Sequence, residues 1–426
     1  TLTHRPSVAC FVSCLLRVFT AAMCLSILPC AGSNRPCSGT QLISHNMKIK
    51  KLWQMPPETY TFKSHEQPAM IGSPGVPDHP HRRKVFYALV GIVLALTGGL
   101  QNGLLTAVLP QLQGFLALTP AEGGWILVTY NMVNACMSML LFKCRQQFGL
   151  ARFIRAIIFA LVLCNLIQVT THSYHSELLA RGISGLAASG MNALALFYFI
   201  QAMPMKWRLK GIACSISLSQ VALPFARAIA PTLMDDGNLQ AVFWLQLGMS
   251  LHVLVLVSLL PLPHGYTQKA ISKTDLVSLL CFALGVAALC AFFVQGRIVW
   301  WDKAELGQLL LVALIGLGIT LLIELNRKEP MIKLDWLRSK ELLWLGLTAA
   351  FLRMVMSEQN VGSAGLLTAL GMGNTQMVTY YWVLTAGALT GLAVTLWLME
   401  PQNLKPPVML AFFCIAVGAF LDVGAN

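Results

Sequence analysis

The chain has 426 residues, of which 56% are hydrophobic and 11% charged, against roughly 25% charged residues in a soluble domain. That much apolar surface does not fit inside one aqueous core, so the bilayer is the expected solvent and a soluble fold is excluded. A net charge of +13 would suit a nucleic-acid binder, but its distribution along the chain points elsewhere.

Residues 1–46 differ from the rest and hold five of the twelve cysteines, Cys10, Cys14, Cys24, Cys30 and Cys37. The apolar run Phe11–Leu28, interrupted by Arg17, is compatible with a signal-like segment or a weak anchor. The reading adopted is plainer. Met47-Lys48-Ile49-Lys50-Lys51 resembles a bacterial start, and residues 1–46 are expected to be non-native upstream sequence. Residues 47–84 are Pro-rich and polar as far as His81 and read as a disordered cytoplasmic tail. No C-x-x-C spacing occurs among these cysteines, and the other seven are scattered, mostly in apolar stretches, as small buried hydrophobes.

Eleven apolar stretches long enough to span a bilayer follow, at 85–108, 121–142, 153–171, 178–203, 211–232, 241–262, 273–295, 306–326, 341–361, 376–398 and 407–425. Their connectors place eighteen Lys and Arg on one side and two, Arg297 and Lys303, on the other. By the positive-inside rule the amino-terminal side is cytoplasmic. The basic charge thus sets topology, and nucleic acid is not an expected partner.

The first two stretches make a hairpin. The first contains the polar pair Gln101-Asn102 and ends near Pro110. The second opens at Thr119-Pro120-Ala121-Glu122, with Thr as N-cap, Pro at the first helical position and Glu three residues after the cap. The wording AVLPQLQGFLALTPAEGGWILVTYNMVNA resembles the first hairpin of major facilitator superfamily transporters, in particular the fourteen-span drug:proton antiporter branch. The resemblance extends from about Val85 to Asn426. It implies an all-α integral membrane fold of two six-helix bundles joined by two linker helices, here truncated to about eleven spans. Residues 85–262 would be the N-terminal bundle, 263–340 the linker helices and cytoplasmic connector, and 341–426 an incomplete C-terminal bundle.

Family motifs can be followed onto this chain. After the second span, Phe142-Lys143-Cys144-Arg145-Gln146-Gln147-Phe148-Gly149-Leu150-Ala151-Arg152 stands where the family has G-x-L-A-D-R-x-G-R-R. Gly149 and Arg152 match and are candidate gating-loop residues. Gln146 replaces the Asp that the family uses in a charge latch, so that latch is not expected here. The fourth span, Glu177-Leu-Leu-Ala-Arg181-Gly182-Ile-Ser184-Gly185, resembles the R-x-x-x-G motif. At 100° per residue, Arg181, Gly185, Ala188 and Asn192 share one face. Small residues there allow close helix approach, and the competing reading of Arg181 is a side chain that snorkels outward. In the fifth span only Pro224 matches the family's antiporter motif, and Pro224 and Pro231 should bend the helix. Arg227 either lines the transport path or reaches to Asp235 or Asp236.

The phrase Lys328-Glu329-Pro330-Met331-Ile332-Lys333 resembles one that follows the linker helices in fourteen-span members. Glu324, beside Arg327 and Lys328, reads as an interfacial charge with a solvated partner. In the ninth span Arg353 lies about 18 Å along the helix, near the middle of a core ~30 Å thick, where an Arg costs about 2.5–3.5 kcal/mol. Glu358, five residues on, points about 140° away, so each needs a partner elsewhere. The eleventh span carries Asp422, and a fourteen-span protein would have three more.

The resemblance implies outward transport of small, amphipathic compounds or drugs across a bacterial inner membrane, with the N-terminus cytoplasmic and no cofactor. Transport would be driven by protons and involve alternating access. The family's acid near the end of the first span is replaced by Gln101, which does not titrate. Glu358 is therefore the leading proton carrier and Glu177 the reserve, with Gln101, Asn102, Arg227 and Asn192 as further coupling candidates. A periplasmic adaptor is left open as a partner. One rival is an anion-carrying facilitator built on Arg181, Arg227 and Arg353. A membrane hydrolase using His172, His175 and Glu177 is another, although H-x-x-H-x-E is not a zinc-protease motif. An inactive truncated transporter is the third. No G-x-x-x-x-G-K-[ST] loop supports ATP drive.

Overall fold

A computed structural model describes residues 73–423, apart from 78, 172, 235–238, 264–266, 270, 300–303, 328–329, 331–338, 374 and 401–402. The readings of residues 1–46 and of most of 47–84 lie outside the described residues. The elements are α1 (His81–Ala107), α2 (Leu109–Phe115), α3 (Pro120–Phe148), α4 (Leu150–Thr170), α5 (Tyr174–Ala202), α6 (Arg208–Leu233) and α7 (Gln240–Leu259). They continue with α8 (Lys273–Val299), α9 (Ala304–Leu325), α10 (Lys340–Val361), α11 (Ser363–Ala369), α12 (Val378–Leu398) and α13 (Lys405–Val423). The eleven long helices fall on the eleven apolar stretches. Among the described residues eight are long and apolar enough to cross a membrane, or nine if the bent α3 is one span. The remaining two are α10, with Arg353 and Glu358 in its length, and α13, whose apolar part Lys405–Phe420 is shorter.

Local chemistry sets the helix ends. Thr119 caps α3 as its sequence indicates: Glu122 Oε2 accepts from Thr119 N at 2.8 Å, and Thr119 Oγ1 accepts from Glu122 N. Pro110 falls in the first turn of α2, a short helix not foreseen in the connector. Ser173 caps α5, with Ser176 returning the contact. Gly149 separates α3 from α4 at φ +78°, a left-handed conformation that explains the motif glycine there. Helix α3 bends by 52° between Ser138 and Leu140, where Ser138 Oγ donates back to the Asn134 carbonyl.

Helices α1 and α3 to α7 form one bundle, with α1 packed against α5, α6 and α7. Small residues let α1 and α6 meet: a Cβ added at Gly99 would sit 2.5 Å from Ala222 Cβ, and one at Gly103 would sit 2.8 Å from Ala226 Cβ. This Gly-x-x-x-Gly against Ala-x-x-x-Ala contact is a membrane packing device. Two apolar clusters fill the bundle's two ends, around Tyr87, Ile154 and Tyr198 and around Leu104, Ile126 and Phe243.

The end of the stretch read as a disordered tail is ordered. Ser73 and His79 are buried. Gln201 Nε2 donates to the Gly75 carbonyl at 2.6 Å, and its Oε1 lies 2.8 Å from His79 Nε2. The His79 ring packs on Tyr87 and Tyr87 on Tyr198, whose hydroxyl donates to the Leu260 carbonyl at 2.5 Å. Polar composition misled here because the partners lie at the far end of α5.

Helices α8 and α9 form a hairpin that lies along α3. Glu324 is buried in it rather than solvated: Ser278 Oγ donates to its Oε1 at 2.6 Å, and Arg327 Nη1 lies 3.5 Å away. Helix α12 packs on α6, with Phe225 edge-on to Trp382 at 5.8 Å and Lys210 Nζ donating to the Leu396 carbonyl. Large apolar side chains of α10, α12 and α13, such as Phe351, Trp397 and Phe420, are exposed.

Candidate functional site

The bundle gathers its buried polar groups near the start of α5. Ser173 fixes that start, so Glu177 falls in the first turn and Arg181 one turn later. Both are sealed off, at 1% and 2% exposure. Arg181 therefore does not snorkel, and that reading is corrected. A charge removed from water must find partners inside, and neighbouring helices supply them.

Arg181 Nη2 donates to Asn102 Oδ1 on α1 at 3.1 Å, and its guanidinium lies 4.9 Å from the Tyr130 ring centroid on α3. Thr106 Oγ1 donates to the Asn102 carbonyl and side-chain oxygens at 2.8 and 3.3 Å, steadying that acceptor. Glu177 Oε2 accepts from Gln168 Nε2 on α4 at 2.6 Å, a charge-assisted contact. Glu177 and Arg181 stand one turn apart on α5. Arg181 Nε has no hydrogen-bond partner among the described residues. An acid, a guanidinium and four polar groups from four helices thus share one buried cluster.

The face shared by Arg181, Gly185, Ala188 and Asn192 continues down α5. Gly185 lets α5 touch α3: a Cβ there would collide with the Tyr130 carbonyl, and Asn134 Nδ2 donates to the Gly185 carbonyl at 3.3 Å. Ser138 and Ser189 hydroxyls lie 3.4 Å apart. Farther on, Asn192 Oδ1 has no hydrogen-bond partner among the described residues and sits 3.0 Å from where a Cβ on Gly98 would lie.

The neighbours Gln101 and Asn102 part company. Asn102 joins the cluster, whereas Gln101 turns to α7: its Nε2 donates to the Gln246 carbonyl at 3.0 Å, and Gln246 Nε2 returns a bond at 3.1 Å. Asn165 on α4 donates to the same Gln246 carbonyl and to Ser250 Oγ. Gln101, a coupling candidate by sequence, is thus tied to α7, and Asn165 brings α4 to the same carbonyl.

The other candidates lie on a different face. Gln220 and Arg227 stand two turns apart on α6. Arg353 on α10 is exposed and donates from Nη1 to Gln220 Oε1 at 2.9 Å, while the Arg227 guanidinium lies 5.6 Å from the Tyr381 ring centroid on α12. The Glu358 side chain, Asp235, Asp236, the Asp422 side chain and His172 lie outside the described residues. His175 is exposed and Glu177 turns inward, so these two do not share a hydrolytic site. Among the described residues no group of three or more His, Cys, Asp or Glu is set to hold a metal. Between α3 and α4, Gly149 makes its turn and Arg152 is exposed.

Tyr130 and Gln168 were missed by sequence reasoning. Tyr130 lies five residues after Trp125 in a stretch read as family wording. Gln168 precedes Glu177 by nine residues across a tight connection, the one local signal that pairs them.

Comparisons with known proteins agree with this architecture. The family model described as Major Facilitator Superfamily matches residues 90–421. The chain is 22% identical over 259 residues to the multidrug export protein EmrB of Haemophilus influenzae, covering 59% of this chain and 51% of the relative. It is 21% identical over 236 residues to the multidrug resistance protein Stp of Mycobacterium tuberculosis, covering 55% and 44%. With the fatty acid resistance protein FarB of Neisseria gonorrhoeae it shares 19% identity over 267 residues, covering 62% and 52%. The chain spans about half the length of the curated relatives it matches.

Proposed function

This chain belongs to the major facilitator superfamily, and on that premise we propose that it exports small amphipathic compounds across a bacterial inner membrane in exchange for protons. The observation that carries the proposal is the buried pair Glu177 and Arg181, joined to α1, α3 and α4 through Asn102, Tyr130 and Gln168. A carboxylate enclosed in this way changes the charge of the cluster by a full unit when it takes up or releases a proton. With Glu177 ionised, Arg181 has a counter-charge one turn away. With Glu177 protonated, Arg181 is a buried cation left with Asn102 and Tyr130. Proton traffic is in this way tied to helix packing, as alternating access requires. Names of the relatives, two of them multidrug proteins, support a drug-like substrate class.

Glu358 remains the competing carrier on α10. The two are separated by dye accumulation in inverted membrane vesicles energised by an imposed pH gradient, with a lipophilic cationic dye as probe. Glu177→Gln is expected to abolish gradient-driven accumulation while Glu358→Gln retains it. The opposite pattern moves the proton site to α10. Undiminished accumulation in both variants removes carboxylate coupling by either residue.

A second reading, an anion-carrying facilitator, is favoured by the Arg181 Nε that lacks a hydrogen-bond partner among the described residues. It predicts gradient-independent flux of an organic anion that Arg181→Gln stops.

A further inference from the structure

We infer that the α8–α9 hairpin is fastened to the amino-terminal bundle by an ionic clamp centred on Asp275, and moves with that bundle as one body. The hairpin is itself tight. A Cβ added at Gly316 would lie 2.9 Å from the Gly285 backbone, so the two helices touch without side chains between them. Ser278 and Glu324 bond across it at 2.6 Å.

At the inner face the clamp has three parts. Asp275 Oδ1 lies 2.7 Å from Arg327 Nη1 and 3.8 Å from Lys143 Nζ, the latter on α3. Its second oxygen accepts from Ser272 N and Oγ at 2.7 and 2.8 Å. The backbone then follows the charges: Gln268 N donates to the Gln146 carbonyl at 2.9 Å, and Ile271 N donates to Gln147 Oε1 at 3.1 Å. The last turn of α3 has Gln146 where an acid would otherwise draw a cation. Here the acid that meets its lysine comes from the linker. Asp275 and Lys143 are 3% and 8% exposed, so their attraction is screened less than that of a surface pair.

A second anchor lies at the opposite end of α8, where Gln295 Nε2 donates to the Ala121 carbonyl in the first turn of α3 at 2.9 Å. Gly124 makes room for it: a Cβ there would sit 3.1 Å from Gln295 Nε2 and from Ile298 Cδ1. Held at both ends of α3, the hairpin has no freedom to slide along it. In alternating access it would travel with α1 and α3 to α7, and the moving boundary would lie between α6 and α12. This consequence rests on the transport reading; the docking itself does not.

The test uses the outer anchor to report on the inner clamp. Gly124→Cys and Gln295→Cys are introduced with the native cysteines replaced, a protease site is inserted between α7 and α8, and membranes are oxidised before cleavage. The expected result is high cross-linking that keeps the two fragments together. Asp275→Asn should lower the yield about fivefold, with Lys143→Gln lowering it similarly and Asp275→Glu retaining it. Absence of cross-linking in the parent pair, or parental yield in both Asp275→Asn and Lys143→Gln, overturns the clamp. Dye transport by the oxidised pair should match that of the same pair reduced, because the bond joins parts of one body. If oxidation stops transport that the reduced pair performs, the single-body inference fails. A reduced pair without transport counts against the transport reading, and the cross-linking yields still decide the clamp.

Discussion

Replacing Glu177 by Gln should uncouple the buried cluster with little change of shape. The substitution keeps the side-chain length and an oxygen to accept the 2.6 Å bond from Gln168, but removes the charge facing Arg181. Side chains one helical turn apart stand ~6 Å from each other. At an effective dielectric of about 20 that separation gives roughly 3 kcal/mol of attraction, equivalent to ~100-fold in an equilibrium. Arg181, at 2% exposure, has no water to replace the lost partner. Glu177→Gln should therefore shift the balance between conformations by about two decades and cut gradient-driven efflux to about 1% of wild type. The assay is a double-mutant cycle with Arg181→Gln, reading thermal stability in detergent and efflux in vesicles. Stability should be non-additive by roughly 3 kcal/mol, the double variant regaining most of what either single variant loses, whereas efflux stays lost in all three. Additive stability effects would refute the electrostatic coupling. Wild-type efflux by Glu177→Gln would refute its role in transport.

Further expectations address packing and topology. Gly99→Val should lower thermal stability by about 1–3 kcal/mol through overpacking against Ala222, whereas Gly387→Val, where nothing lies within 4 Å, should be neutral in the same thermal assay. Gln246→Leu should cost about 0.5–1.5 kcal/mol by removing the bond from its Nε2 to the Gln101 carbonyl, with efflux retained. Arg353→Lys should impair efflux less than Arg353→Ala, since Lys keeps a donor for Gln220 but loses the planar fork. Cysteines placed at Arg83 or Lys210 should be shielded from an impermeant thiol reagent in intact cells and one at Thr171 labelled; the reverse pattern would invert the topology.

The helices were legible because bilayer length and apolarity leave few other structures for such stretches. The Thr119 cap could be read from single residues, since it meets a local backbone need. What composition obscured was the destination of polar side chains. Gln101 and Asn102 are adjacent, yet 100° of helical rotation sends one to α7 and the other to α5. Arg181 and Arg353 both read as intramembrane cations. The fold buries the first in a four-helix cluster and leaves the second exposed against Gln220. Asp275 lies only two residues from a run of connector sequence, and nothing local reveals that Lys143, more than a hundred positions earlier, meets it.

The most direct test of the account is proton flux during transport by purified protein in sealed liposomes carrying a pH-sensitive dye inside. With an imposed gradient, adding the transported cation should release protons in step with its movement, and collapsing the gradient should stop net accumulation. Substrate movement at an unchanged rate without a gradient, and with no proton flux, would contradict proton-coupled export and favour the facilitator reading.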